Sequence, residues 1–228
     1  MKLLAFETAT EACSVALYVD GAVRERFELA PRRHAELALP WAEELLAEAG
    51  IARSALDAVA CGRGPGAFTG VRLAIAVTQG IALALDRPVL GVSTLAALAT
   101  DAGREPGDRI VAAIDARMGE VYVGGFVRTA DGLVDALDEE RLGAPDAVPL
   151  PGGRWIGVGS GFAAQESVLA RRCMESAGRI DAAALPHAAA VARLAARAHA
   201  RGEAIAAERL EPAYLRDKVA LTLAEQGR

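Results

Sequence analysis

Apolar positions fall into short blocks at the start of the chain, where Leu3 to Phe6, Cys13 to Val19 and Val23 to Leu29 read as three strands. The last two are joined at Asp20-Gly21, a dipeptide suited to the left-handed backbone of a two-residue hairpin, so the chain is expected to open as an antiparallel meander. From Arg32 to Gly50 the period changes. Leu37, Trp41 and Leu45 recur at i, i+4 spacing and Gly50 supplies a stop, which predicts a helix that Pro40 either kinks or opens. Leu56 to Cys61 returns to strand pattern, and Gly62, Gly64, Pro65, Gly66 and Gly70 then forbid regular structure. Val71 to Asp86 follows as a helix with Thr69 as its expected N-cap and Arg72 in its first turn. Pro88 to Val92 reads as a strand, and Ser93 caps a further helix to about Asp101.

Beyond the polar segment Asp101 to Asp108 the opening pattern returns. Ile110 to Ile114 is an apolar strand ending at Asp115, as the first strand ends at Glu7, and Glu120 to Val127 leads to Asp131-Gly132 as an echo of Asp20-Gly21. This internal duplication predicts an α/β fold of two strand-rich lobes, 1–103 and 104–228, with a cleft between them, the last segment packing back on the fold. Leu142 to Pro151 reads as loop, Trp155 to Val158 as strand, Gly161 onward as helix and Ala188 to Arg201 as a further helix.

The helix after the glycine loop carries no charge from Leu73 to Leu85, so it is too apolar to face water on any side. Leu73, Val77, Ile81 and Leu85 form a bulky stripe. Ala74, Thr78 and Ala82 form one small-residue stripe and Ala76, Gly80 and Ala84 another, roughly opposite. One side is expected to cover a sheet and the other to dock a partner helix at close range. The candidate interface is Leu37, Trp41, Leu45, Ala74, Thr78, Gly80 and Ala82, and sequence does not say which small stripe points outward.

Composition narrows the classes. The 228 residues are 53% hydrophobic with 24% charged, enough for a sizeable core and too apolar for wholesale disorder. A formal net charge of −5 argues against a protein that grips nucleic acid mainly through phosphates. Cys13, Cys61 and Cys173 are odd in number and widely spaced, in no CxxC arrangement, which suggests reduced thiols. Glu7 and Glu11 interrupt any signal-peptide core, and the uncharged run Leu73 to Leu85 is shorter than the about 20 residues of a membrane span, so a cytoplasmic protein with no membrane dealings is expected.

The glycine loop opening a helix has the general form of a phosphate cradle. Yet no lysine follows Gly70, and Gly64-Pro65-Gly66 does not continue as GxGxxG because position 69 is threonine. The loop is read instead as a tight structural turn over Arg63, Gly64, Pro65, Gly66, Phe68, Thr69, Gly70 and Arg72, with Phe68 packing it onto the core or a partner. Glu7, Glu11 and Asp115 stand at strand ends where a carboxylate cluster for a cation would be placed, but solvated acids are the blander reading. His34, His187 and His199 show no HxxxH or HExxH spacing, no GxSxG elbow exists, and no cysteine has an activating context. No catalytic residue, metal ligand or cofactor is therefore assigned.

Taken whole, RGPGAFTGVRLAIAVTQGIALALDRPVLGVSTLAAL resembles the hallmark of the bacterial TsaB family of tRNA threonylcarbamoyladenosine biosynthesis proteins. So do FETATEACSVAL near the start, RRHAELALP at Arg32 to Pro40 and PAYLRDKVA at Pro212 to Ala220. The resemblance implies a two-lobed actin-like, hexokinase-like (ASKHA) fold and a non-catalytic subunit. Such a subunit binds and activates a TsaD-like threonylcarbamoyl transferase together with a small TsaE-like P-loop ATPase, meets tRNA only through that complex, and forms a homodimer when alone. In nucleotide-binding members of the architecture the first hairpin carries glycines beside the phosphates, whereas here Glu7 to Ala12 contains none. The catalytic relative carries two metal-binding histidines one helical turn apart, where this chain has Thr94 and Leu98. An ATP-dependent phosphotransferase and a ligand-binding sensor are the rival classes.

Overall fold

The structure, a computed structural model, describes residues 1–174 and 176–216. The last residues of the PAYLRDKVA string lie outside that range. Strands β1 (Lys2–Glu7), β2 (Ala12–Val19) and β3 (Ala22–Leu29) form the expected meander, and Asp20 and Gly21 both take positive φ in the turn that pairs Val19 with Ala22. Helix α1 (His34–Ala49) then crosses to β4 (Ala58–Gly62), α2 (Phe68–Leu85) to β5 (Val89–Val92), and α3 (Thr94–Thr100) closes the first unit. The first sheet has the order β3-β2-β1-β4-β5, with β1 antiparallel to β2 and parallel to β4.

The second unit contains β6 (Arg109–Arg117), β7 (Glu120–Arg128), β8 (Val134–Ala136), β9 (Arg141–Gly143), β10 (Trp155–Val158), α4 (Ala164–Arg172), β11 (Ala177–Asp181) and α5 (Ala188–Ala200). Its sheet has the order β11-β10-β6-β7-β8, which read backwards is the first sheet strand for strand. The parallel and antiparallel pairings repeat as well. This is the duplicated α/β unit of an actin-like fold. The second copy is eroded: β8 has three residues, and α4 is broken by left-handed backbone at Gln165 to Ser167. Strands β8, β9 and β11 carry no pattern that sequence could read, because three to five residues hold too few positions for a period to show.

The layers explain the burial. Helices α1 and α2 cover the outer face of the first sheet, while α3 and α5 lie between the sheets, α5 against β1, β2 and β4 and α3 against β6 and β7. Strand β1 is thus apolar on both faces, as Leu3, Leu4, Ala5 and Phe6 require. The helices have crossed over, α3 of the first unit serving the second sheet and α5 of the second unit the first. A division at 103/104 therefore separates the sheets but cuts the core they share.

Helix α5 is fastened to the first sheet at its N-terminus. Ser14 Oγ accepts from the Ala188 N–H at 2.9 Å, and Glu25 accepts from the Ala189 N–H at 2.9 Å and the Ser14 hydroxyl at 2.7 Å. His187 stacks on Phe27 with centroids 4.2 Å apart and sets Nδ1 3.0 Å from Glu25. Burial opposes ionisation of Glu25, but the hydrogen bonds from His187, Ser14 and Ala189 outweigh it and hold its carboxyl below the ordinary value. Glu25 in turn raises His187.

Candidate functional site

The glycine loop and the first hairpin turn are built against each other. The Ala67 N–H donates to the Ala9 carbonyl at 2.7 Å, and the Thr8 hydroxyl donates to the Gly70 carbonyl at 2.7 Å. A Cβ on Gly70 would collide with the Thr8 carbonyl oxygen, and one on Gly66 would lie 2.5 Å from the Ala9 carbonyl oxygen. Both glycines are there because backbone meets backbone. His34, the first residue of α1, donates from Nε2 to the carbonyls of Thr10 and Ala12 at 3.0 and 3.2 Å, which makes it a clamp on the same turn. The first turn thus packs backbone to backbone on the loop, and both line the cleft.

Two local expectations are corrected. Thr69 is not the N-cap: α2 begins at Phe68 with Ala67 as the cap residue, and no side chain caps it. Phe68 does not pack on the core, being 61% exposed with the Arg72 guanidinium 3.3 Å above its ring centroid. By contrast Ser93 caps α3 as expected, its Oγ accepting from the Ala96 N–H.

Glu7 is buried beneath Gly62, whose missing Cβ makes room for the carboxylate. It accepts from the Ala9 N–H at 2.8 Å and the Thr94 hydroxyl at 3.1 Å, but these do not offset desolvation, which raises its pKa to about 7. The side chain points into the junction of β1, β4 and α3, whereas Asp115 lines the cleft between the lobes and pairs with Arg117 at 2.8 Å. Glu7 is therefore set apart from Glu11 and Asp115, which both line the cleft, and no group of three metal-ligating side chains occurs among the described residues.

The buried acid has a stability signature. The unfolded chain loses this proton near 4.5 and the folded one near 7, so stability falls as pH rises through that window and levels off above it. A shift of this size corresponds to about 3 kcal/mol. Glu7→Gln should remove that slope, leaving the variant more stable than wild type at pH 8 and similar at pH 5 in urea unfolding. An unchanged slope would place the titration elsewhere.

The cleft itself has a volume of about 1140 Å³ and is walled by the first turn, the start of α2, the β6–β7 turn and the segment Pro212–Arg216. Arg63, outside the cleft wall, accepts from the Ala213 N–H at its carbonyl and lays its side chain against Gly91. The cis Gly64-Pro65 peptide turns the chain at this point. Arg72 donates to the Tyr214 hydroxyl at 2.8 Å, a pairing across 142 positions that no local pattern announces.

The second candidate surface is the outer face of α2. Ala74, Thr78 and Ala82 are buried against the sheet, with the Thr78 hydroxyl reaching the Ala60 carbonyl, and Leu45 of α1 is fully buried too. None of these four can meet a partner, because the sheet already covers them. The stripe that faces outward is Ala76, Gly80 and Ala84, joined by Leu83 at 63% exposure, while Leu37 and Trp41 of the adjacent α1 are half-buried beside the core. By length and mean hydropathy of 1.6 the 18 residues of α2 match the lower limit of a membrane span, yet only a third of them are buried. One face is a core face, Gln79 is bonded to the segment at Ala207 and Leu210, and Ala76, Gly80, Leu83 and Ala84 are left exposed among the described residues.

Against known proteins, the model of the family described as TsaD, tRNA N6-adenosine threonylcarbamoyltransferase, matches residues 27–223. The Escherichia coli protein named tRNA threonylcarbamoyladenosine biosynthesis protein TsaB is 42% identical over 96% of both chains. The chain belongs to the TsaB family. The TsaB of Haemophilus influenzae is 38% identical, covering 96% of this chain and 95% of its own. A solved structure of YeaZ from Pseudomonas aeruginosa superposes with a TM-score of 0.84 at 46% identity, covering 93% of this chain and all of that one. Another Pseudomonas aeruginosa structure, described as similar to peptidase YEAZ, has the same TM-score at 47% identity, over 94% of this chain and 99% of its own. The TsaB relationship spans the first turn, the glycine loop and α2 alike.

Proposed function

We propose that this chain is the non-catalytic subunit of a cytoplasmic tRNA-modifying complex. In this reading it binds and activates a TsaD-like subunit that transfers threonylcarbamoyl to an adenosine beside the anticodon. A small TsaE-like P-loop ATPase completes the complex, tRNA is met only through it, and the chain pairs with itself when alone. The observation that carries this reading is α2, whose small-residue stripe Ala76, Gly80 and Ala84 and exposed Leu83 form a contiguous apolar surface. Such a patch favours a partner helix, since small residues let two backbones approach and desolvate a long contact.

The first hairpin supports the non-catalytic part. Its backbone is hydrogen-bonded to the glycine loop and to His34, Glu7 is buried away from the cleft, and the family resemblance implies that Thr94 and Leu98 stand where the catalytic relative has its histidines.

Reconstitution tests the proposal. The purified chain alone should neither hydrolyse ATP nor modify tRNA, and adding it to the catalytic subunit and the ATPase should switch on threonylcarbamoyladenosine formation. Steady ATP turnover by the isolated chain, lost on mutating Asp115, would favour the phosphotransferase reading instead.

A further inference from the structure

The described residues of the C-terminal string, Pro212 to Arg216, make connections to both lobes. On the first lobe, the Arg63 carbonyl accepts from the Ala213 N–H at 2.8 Å, and Arg72 in the first turn of α2 donates to the Tyr214 hydroxyl at 2.8 Å. On the second lobe, Arg216 donates to the Ala116 carbonyl at 3.0 Å and pairs with Glu120 at 2.8 Å, both in the β6–β7 hairpin. The Arg216 side chain is only 17% exposed, so this pair is screened less than a surface pair. The chain is tied upstream as well, where Gln79 of α2 donates to the carbonyls of Ala207 and Leu210 at 2.9 and 3.2 Å.

We propose that Pro212–Arg216 is a strap across the cleft, with Arg216 as its clasp, that fixes the separation of the two lobes and holds the first turn of α2 in place. The segment forms one wall of the cleft, and its bonds run to α2 on one side and to the β6–β7 turn on the other. The sheets meet elsewhere through α3 and α5, which pack deep between them. At the cleft mouth the strap supplies the connection, through five residues with polar contacts at both ends. Arg72 stands at the junction: it stacks on Phe68, lies 5.4 Å from the Tyr214 ring centroid and bonds its hydroxyl, so movement of the strap is felt at the start of the docking helix.

The test is hydrogen exchange on the full chain, comparing wild type, Arg216→Ala and Glu120→Gln, which cuts the clasp from either side. Arg53→Ala, which removes a surface pair with Glu43, serves as control. Loss of a charge-assisted bond predicts exchange about tenfold to a hundredfold faster in the β6–β7 turn and in the first turn of α2, with β1 and β4 unchanged. Faster exchange confined to residues 210–216 would overturn the proposal, since the segment would then merely lie on the surface. Should Arg216→Ala fail to fold, Glu120→Gln decides alone. The measurement needs no partner and so stands apart from the proposed complex. As a second arm that does rest on that reading, affinity for the catalytic subunit should fall in both clasp variants and not in the control.

Discussion

Ala82→Arg should abolish folding, whereas Gly80→Arg, two residues away on the same helix, should fold normally and lose the partner. Ala82 is fully buried against the first sheet, so an arginine there forces a long cationic side chain into a packed apolar layer with no acid to receive it. Overpacking alone typically costs 1–3 kcal/mol, and burying an unpaired charge adds several more, together a large share of the stability of a domain of this size. At Gly80 nothing lies within 4 Å of an added Cβ, so the arginine points into solvent. It then stands in the small-residue stripe where a partner helix must approach. Circular dichroism melting and size-exclusion binding to the catalytic subunit separate the two effects. If both variants fold and bind at wild-type affinity, α2 is not the interface.

The glycine loop offers a second large contrast, between Gly70→Ala and Gly80→Ala. Both glycines are helical and neither has positive φ, so backbone freedom is not what they provide. A methyl on Gly70 would enter the Thr8 carbonyl oxygen, which is backbone and cannot swing aside, and relief requires parting the loop from the first turn. That breaks the Thr8–Gly70 and Ala9–Ala67 hydrogen bonds together. A loss of about 3–4 kcal/mol follows, or roughly 6–16 °C in Tm for a chain of this length. Gly80→Ala meets no neighbour and should stabilise by about 0.5–1 kcal/mol through helix propensity. Thermal melts of the two variants give the answer directly, and a Gly70→Ala protein that melts with wild type would mean the loop is not packed as described.

The contrast also states what the loop motif is for. Read as a string, RGPGAFTG has the general form of a phosphate cradle, against which stand the missing lysine after Gly70 and the threonine at position 69 that breaks GxGxxG. The steric positions of Gly62, Gly66 and Gly70 each have a partner in the first strand or its turn: the Glu7 carboxylate, the Ala9 carbonyl and the Thr8 carbonyl. The spacing of these glycines matches the places where β4, the loop and α2 pass the β1–β2 connection. Their chemistry is close approach.

Much of this was legible without coordinates. The meander, α1, β4, α2, β5 and α3 follow from period changes, from Asp20-Gly21 and from the Ser93 cap, because local backbone preference and one-sided burial agree in those elements. The duplication was visible as two apolar strands each leading to an acid, Glu7 and Asp115, and as two Asp-Gly turns, although β6 runs past Asp115 to Arg117. The absence of charge from Leu73 to Leu85 by itself determined that α2 needs cover on more than one side. What the sequence left open is orientation. Two small stripes on one helix are equivalent as patterns, and only the packing on β1 and β4 decided that Ala74, Thr78 and Ala82 face inward and Gly80 outward. The same holds for Glu7, which as a strand-end acid resembles Asp115, and which the space above Gly62 turns away from the cleft. Contacts between residues far apart in the chain, such as Arg72 with Tyr214 and His187 with Glu25, have no periodicity to betray them. They arise when the two lobes are brought together, so only the tertiary structure could decide them.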